Sequence, residues 1–245
     1  SEDGAVRADP GLGSSRRDTH IGFQELFLDY HIANVSERYD FISVRAGIQR
    51  FLSDFRGFVF AEDAPGVRFF GTFDNNFWQY NLAWFTRLEK DTNSALNTFD
   101  SRHEDVFIAN LYRQDLLALG HQVQASLIYR EDTAGSHGAH YDDNGFLTRP
   151  ASIGDERFKN IYSTYIGLNS DGHIGRINTT TALYHVFGSE SHNPIAGQGT
   201  DISAWLAAAE LSYDIDWMRV RSSFMWASGD DDPFDSRATG FDAIF

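Results

Sequence analysis

The sequence predicts an all-β fold: an antiparallel transmembrane β-barrel of the outer-membrane type, with about ten strands present. Three observations carry the prediction. Apolar and polar residues alternate with period two in segment after segment, and short connections alternate with long ones. Aromatics make up 15% of a chain whose mean hydropathy is only −0.38. Period-two alternation marks a strand with different surroundings on its two faces. In a membrane barrel the apolar face meets lipid and the polar face lines a lumen. A soluble β-sandwich, with the apolar face as its core, is the outside alternative.

Residues 1–19 lack periodicity and are expected to be a loop or tail, and residues 20–227 to hold the barrel strands and their loops. The expected strands cover about 20–33, 40–52, 66–73, 77–89, 104–116, 121–131, 158–168, 173–187, 201–213 and 217–227. In "FISVRAGIQR" Ile42, Val44, Ala46 and Ile48 oppose Ser43, Arg45, Gly47 and Gln49. "WQYNLAW" sets Trp78, Tyr80, Leu82 and Trp84 against Gln79, Asn81 and Ala83. From Trp78 to Leu88 a tilted strand climbs roughly 25 Å, which matches the apolar band of a barrel. Trp78 to Trp84 climbs only about 15 Å, so Trp78 is expected at the aromatic girdle, with Trp217 and Trp226, and Trp84 in mid-band. "QVQASLIYR" and "WMRVRSSFMW" alternate as well. "SAWLAAAELS" is Ala-rich but places Trp205, Ala207, Ala209, Leu211 and Tyr213 on one face, so it is read as strand rather than helix.

Hairpin turns are expected at "SER", "DNN", "LALG", "NSDG" and "DID", several of which carry residues that tolerate positive φ. The intervening connections are longer, the pattern of short periplasmic turns and extended outer loops. On that parity the first strand starts outside and the last one ends outside, so both ends of the chain are extracellular, and residues 228–245 form an acidic extracellular loop leading to a further strand. The chain is therefore expected to be an internal portion of a larger barrel.

Zero cysteines exclude disulfide scaffolds and thiol chemistry. The net charge of −15 argues against nucleic acid as a partner. The partners expected are the lipid bilayer, a polar or anionic solute, and a plug or partner subunit if the lumen is filled. Among the cations Arg outnumbers Lys 18 to 2. Arg45, Arg87, Arg130, Arg176, Arg219 and Arg221 are expected on the inward face, where planar guanidinium forks select anions. The alternative is that these arginines pair with inward acids such as Glu25, Asp29, Glu89 and Glu210 and brace the wall. Asp230, Asp231, Asp232 and Asp235 in "GDDDPFD" are candidate calcium ligands, as are the acids of "YDDNG"; neither has the EF-hand spacing. No other cofactor is expected. The histidines and aspartates of "SHGAHYDD" are read as a chance grouping. No catalytic motif occurs, so no enzyme is expected; a barrel-embedded hydrolase would need Ser, His and an acid converging on one face.

The phrases "SDFRGF" (53–58), "NLYRQD" (110–115), "DGHIGRIN" (171–178), "ELSYDIDWMR" (210–219) and "ASGDDDP" (227–233) resemble proteobacterial outer-membrane channels of the alginate-export type and their porin-like relatives. The resemblance implies a monomeric barrel of sixteen to eighteen or so strands in the bacterial outer membrane. It also implies an electropositive constriction that passes an anionic polysaccharide. This chain is shorter than such a barrel requires.

Overall fold

The computed structural model describes residues 20–91, 94–138, 140–141, 147–148, 153–155 and 157–244. The expected tail at 1–19 and Asp142 and Asp143 of "YDDNG" lie outside them. Ten strands run antiparallel in one sheet, in sequence order. They are β1 (Leu26–Asn34), β2 (Phe41–Leu52), β3 (Ala61–Phe73), β4 (Trp78–Lys90), β5 (Asn97–Gln114), β6 (His121–Asp132), β7 (Ile161–Ile174), β8 (Ile177–Glu190), β9 (Thr200–Ile215) and β10 (Met218–Ala227). A short β11 (Arg237–Ala238) pairs parallel with β9. β1 and β10 are not paired with each other, so the sheet is not closed. No helix among the described residues is long and apolar enough to cross a membrane, which leaves crossing by strands untouched.

Each expected strand is present, the Ala-rich one included, but several boundaries move. β3 begins at Ala61 and β5 at Asn97, so the connections 53–60 and 91–96 are shorter than their composition suggests. The contrast between short and long connections is therefore weaker than expected: 35–40 and 115–120 match 91–96 in length. At "DNN" the turn forms as expected, with Asp74, Asn75 and Asn76 all at positive φ. "NSDG" instead lies within β7, and the reversal comes later, at Gly175 and Arg176. Gly175 takes the left-handed φ of 63° that this tight connection needs.

The sheet curls. Loop 53–60 leaves between β2 and β3, yet Ser53 O accepts hydrogen bonds from Asn110 on β5 and Gln124 on β6, and Arg56 reaches Glu210 on β9. One short loop touches strands that far along the sheet only if the sheet wraps round it. The loop therefore marks the concave face. Phe85, Val106, Ile108, Ile128, Tyr165 and Leu206 point to that side and bury against Val59 and Phe60 of the loop.

The convex face is apolar and exposed. Phe69, Leu82, Leu127, Ile166, Leu183, Leu211 and Val220 all lie on it with large exposed surfaces. Towards the long-connection end the band stops at a registered row, Trp84, Phe107, Tyr129, Thr164 and Phe187. The next row outward is Thr86, Asp105, Glu131, Tyr162 and Ser189. Trp84 thus sits at the edge of the band rather than in its middle, with its indole N–H donated to Asp105 at 3.1 Å. Phe73 and Trp78 stack at the opposite end, with ring centroids 5.8 Å apart. Trp217 occupies the β9–β10 turn, and Trp226 lies on the convex face of β10.

Two turns are tied together by Asp40. Its carboxylate accepts the amides of Asn75 and Asn76, at 3.0 and 2.9 Å, and the hydroxyl of Ser36 at 2.9 Å. The Asn76 amide is the strongest of several donors that hold the Asp40 carboxyl below the ordinary carboxylate range. A depressed folded pKa contributes stability that is present above the ordinary value and lost as pH falls through the folded one. Asp40→Asn is expected to destabilise the protein at neutral pH, and its unfolding midpoint in denaturant should converge on the parent's as the pH drops below the carboxylate range. A gap that stays constant with pH would remove the charge from this explanation.

Candidate functional site

The concave face is layered along the strand direction, because inward residues recur every second position. At the long-connection end lies a buried ion cluster. Arg87 donates to Glu62 and, at 3.1 and 3.0 Å, to both oxygens of Glu104. Glu104 also pairs with Arg130 at 2.7 Å and Arg102 at 2.8 Å. Lys90 pairs with Glu62 at 3.0 Å and Arg130 with Asp132 at 3.1 Å. β5 is bulged opposite Thr86–Lys90, with His103 at positive φ, and this brings Arg102 and Glu104 of one strand to the same cluster. Below the cluster comes the apolar layer already described.

Next is a polar layer organised by Asp54. Its carboxylate accepts the amides of Arg56, Gly57 and Phe58 and the hydroxyls of Ser53 and Tyr184. Gly57 has φ +72°, the left-handed turn that lets three consecutive amides face one side chain. Tyr184 reaches Asp54 at 3.0 Å from β8, across the interior. Its ring lies flat over Gly167 of β7, where a Cβ would come within 2.1 Å of it. Asn169 donates to the same phenol oxygen at 2.8 Å.

Charged groups also line the two ends of the sheet, β1–β3 and β9–β10, and the tip of the inward loop. Arg45 makes a two-pronged contact with Asp29 at 2.6 and 2.8 Å and covers the Phe27 ring. Arg68 donates to Asn81 at 2.6 Å and lies between the rings of Phe51 and Phe70. Arg56, at the tip of the inward loop, pairs with Glu210 at 2.8 Å. Arg221 approaches the same Glu210 oxygen at 3.5 Å, and Arg219 binds Asp214 through two contacts, at 2.5 and 2.9 Å. β1 and β10 are exposed along their whole length. The interior is filled against β4–β8, whereas Arg56, Arg219 and Arg221 are exposed and Arg45 partly so.

The six arginines singled out from sequence divide accordingly. Arg45, Arg219 and Arg221 lie on the solvated part of the face, each beside an acid, Arg45 with Asp29 and Arg221 with Glu210 as the bracing alternative has it. Arg87 and Arg130 do point inward but are sealed in the ion cluster, as the bracing alternative holds. Arg176 is not on the wall: it occupies the β7–β8 turn beside Tyr213, because β7 runs on through Ile174. Sequence reasoning missed Arg56 and Arg68. Arg68 lies in the alternating part of β3, opposite Arg45, and its position was readable. Arg56 lies in a connection without periodicity, so no signal marked it as inward.

The acidic stretch 229–237 is exposed, all but Pro233, while residues 241–244 turn back over the interior. Tyr165 donates to Asp242 O, and the Ile244 amide donates to Val59 O at 2.8 Å. Ile244 is buried in the apolar layer. Asp230, Asp232 and Asp235 each accept a local hydrogen bond, from Thr239, Phe234 and Arg237. Among the described residues no group of three His, Cys, Asp or Glu side chains, Asp231 included, is placed to hold a metal ion. Two Ser–His contacts occur, His31 with Ser43 and His185 with Ser203, and no acid pairs with either histidine among the described residues.

A scan against protein-family models gives no match, and a search of curated proteins finds no significant relative.

The two kinds of arginine respond differently to mutation. Glu104→Gln leaves three guanidiniums short of a buried counter-charge, which costs about 3–5 kcal/mol. Arg219→Ala removes a solvated pair and should leave the unfolding midpoint almost unchanged. Equal effects in chemical denaturation would contradict this division.

Proposed function

We propose that this chain is part of the wall of an outer-membrane β-barrel that conducts polar or anionic solutes without chemistry on them. One observation carries the reading: the polarity of the sheet is inverted. The exposed convex face is an apolar band edged by aromatic rows, while charged side chains and the inward loop occupy the concave face. From β3 to β10 the band extends roughly 34 Å across the sheet at ~4.8 Å per strand. Soluble monomers seldom expose an apolar patch of that extent, and a bilayer covers it. Strands of 12 to 18 residues from β2 to β9 exceed the roughly 9–11 needed to cross. In lipid the edges of β1 and β10 require pairing, and further strands supply it.

The selective wall is Arg45, Arg56, Arg68, Arg219 and Arg221. Guanidinium groups there attract anions and replace part of their hydration. Asp29, Glu210 and Asp214 moderate that field, so the selectivity is partial. The resemblance of "SDFRGF" and "ELSYDIDWMR" to alginate-export-type channels points to an anionic polysaccharide as one solute. A second reading has support in the interior itself. Loop 53–60 and residues 241–244 already fill the interior against β4–β8, as they would in a barrel that serves as a scaffold or partner-binding wall.

The intact gene product in a planar bilayer under a salt gradient is expected to show a reversal potential of anionic sign. In Arg219→Ala/Arg221→Ala Asp214 loses its guanidinium and Glu210 keeps only Arg56, and the potential should move toward cation preference. Correctly inserted protein that stays silent would overturn the conduit and favour the scaffold.

A further inference from the structure

We propose that the cavity between β7–β9 and the returning residues 238–242 binds a small organic ammonium ion with an apolar body. It lies at the long-connection end, apart from the proposed arginine wall, so the inference goes beyond the conduit and stands without it. The cavity arises from the strand register. Ile161, Ser163 and Tyr165 follow one another on the inward face of β7, opposite Glu190, Gly188 and Val186 of β8. Gly188 in turn faces Ile202 of β9, and having no side chain it leaves the middle of the floor bare. Ala238 and Gly240 pass over that floor, held by the pairing of β11 with β9 and by the Tyr165 hydroxyl on Asp242 O at 2.9 Å. The space between measures about 250 Å³, just under the range of drug-sized ligand sites, so its occupant is small.

The charge around it is negative. Arg130 and Lys159 reach the lining, but both are taken: Arg130 by Glu104 at 2.7 Å and Asp132 at 3.1 Å, Lys159 by Glu190. Asp230 and Asp242 line the cavity too, and among the described residues no cation lies within ion-pair distance of either. The Thr239 hydroxyl donates to Asp230 at 3.1 Å, which leaves the carboxylate charge intact. Including the ion cluster beneath does not restore the balance. Arg87, Lys90, Arg102, Arg130 and Lys159 meet Glu62, Glu104, Asp132, Glu190, Asp230 and Asp242, five positive charges against six negative. The exposed stretch above adds Asp231, Asp232 and Asp235 against Arg237 alone.

Inside the cavity one polar group is unspent. Ser163 is 2% exposed, and its Oγ, beside the Tyr165 phenol, ends without a hydrogen-bond partner. A buried hydroxyl left so is costly and marks a place for the polar atom of a ligand. An ammonium group brings three N–H donors and no acceptor, which suits two carboxylates and a hydroxyl oxygen. A bare metal ion suits the set less, because no three His, Cys, Asp or Glu side chains among the described residues are placed to hold one. The apolar body then lies against Ile161, Val186, Ile202 and the Tyr165 ring, surfaces that gain by leaving water.

The test is saturation-transfer NMR on the full-length protein in nanodiscs, with empty nanodiscs subtracted. At about 0.15 M NaCl, charges more than roughly 8 Å apart are largely screened, so only close carboxylates count. Phenethylammonium is the probe, 2-phenylethanol its uncharged counterpart and phenylacetate its anionic one. The ammonium should bind about tenfold more tightly than the alcohol, and phenylacetate more weakly than either. Asp230→Asn and Asp242→Asn should each remove about threefold, as solvent-exposed carboxylates do, and together nearly all of the preference. Asp235→Asn, on the same stretch but outside the cavity, should remove almost none. Ser163→Val keeps a good strand former and fills the floor, so it should abolish binding of ammonium and alcohol alike. Equal binding of 2-phenylethanol would overturn the charge requirement. An unchanged preference in the folded double variant, or unchanged binding in folded Ser163→Val, would overturn the site. Displacement of the probe by calcium at equal concentration would overturn it in favour of a metal site. A protein that binds the ammonium yet stays silent in a bilayer refutes the conduit alone.

Discussion

Five donors converge on the carboxylate of Asp54, and the position of that side chain decides how the interior of the sheet is divided. Three of the donors are successive amides of its own loop, which curl the chain around it as they would around a bound anion. The Tyr184 hydroxyl comes from 130 residues away and fixes the loop to β8. That contact needs the tyrosine ring to lie across β7, and Gly167 is the residue that permits it. From this anchor follow the burial of Val59 and Phe60, the filling of the interior against β4–β8, and the display of Arg56 to solvent.

The same residue type does opposite work in the two halves. In the buried cluster Arg87, Arg102 and Arg130 surround Glu104, whose side chain is fully sequestered. Away from water such groups must be mutually satisfied, and they brace the long-connection end where β5 is bulged. On the solvated part of the face Arg45, Arg56, Arg219 and Arg221 hold their acids in solvated pairs. Solvation keeps those pairs weak and exchangeable.

The convex face supplies the complementary constraint. Its aromatic row from Trp84 through Phe107 to Tyr129 stands one step below a row containing Asp105 and Glu131. An indole with an apolar body and an N–H turned to Asp105 belongs at such a boundary. The apolar band between Trp84 and Trp78 is thus framed by the polarity of its own strands.

The sequence by itself determined the ten strands, their order, and which side chains share a face, because alternation is a local property and a meander pairs neighbours. It also marked Arg45, Arg219 and Arg221 as inward. It did not determine which inward arginines are sealed from solvent. Arg87 and Arg45 occupy equivalent positions in their alternating patterns and each pairs with an acid of a neighbouring strand; only burial, near complete for Arg87 and partial for Arg45, tells them apart. The path of 53–60 and 241–244 was equally illegible, since neither stretch has a period. Their inward course is set by contacts with Tyr184, Glu210 and Tyr165, far along the chain. Periodicity fixes which way a side chain points; what it meets there depends on the curl of the sheet, which only the tertiary structure decides.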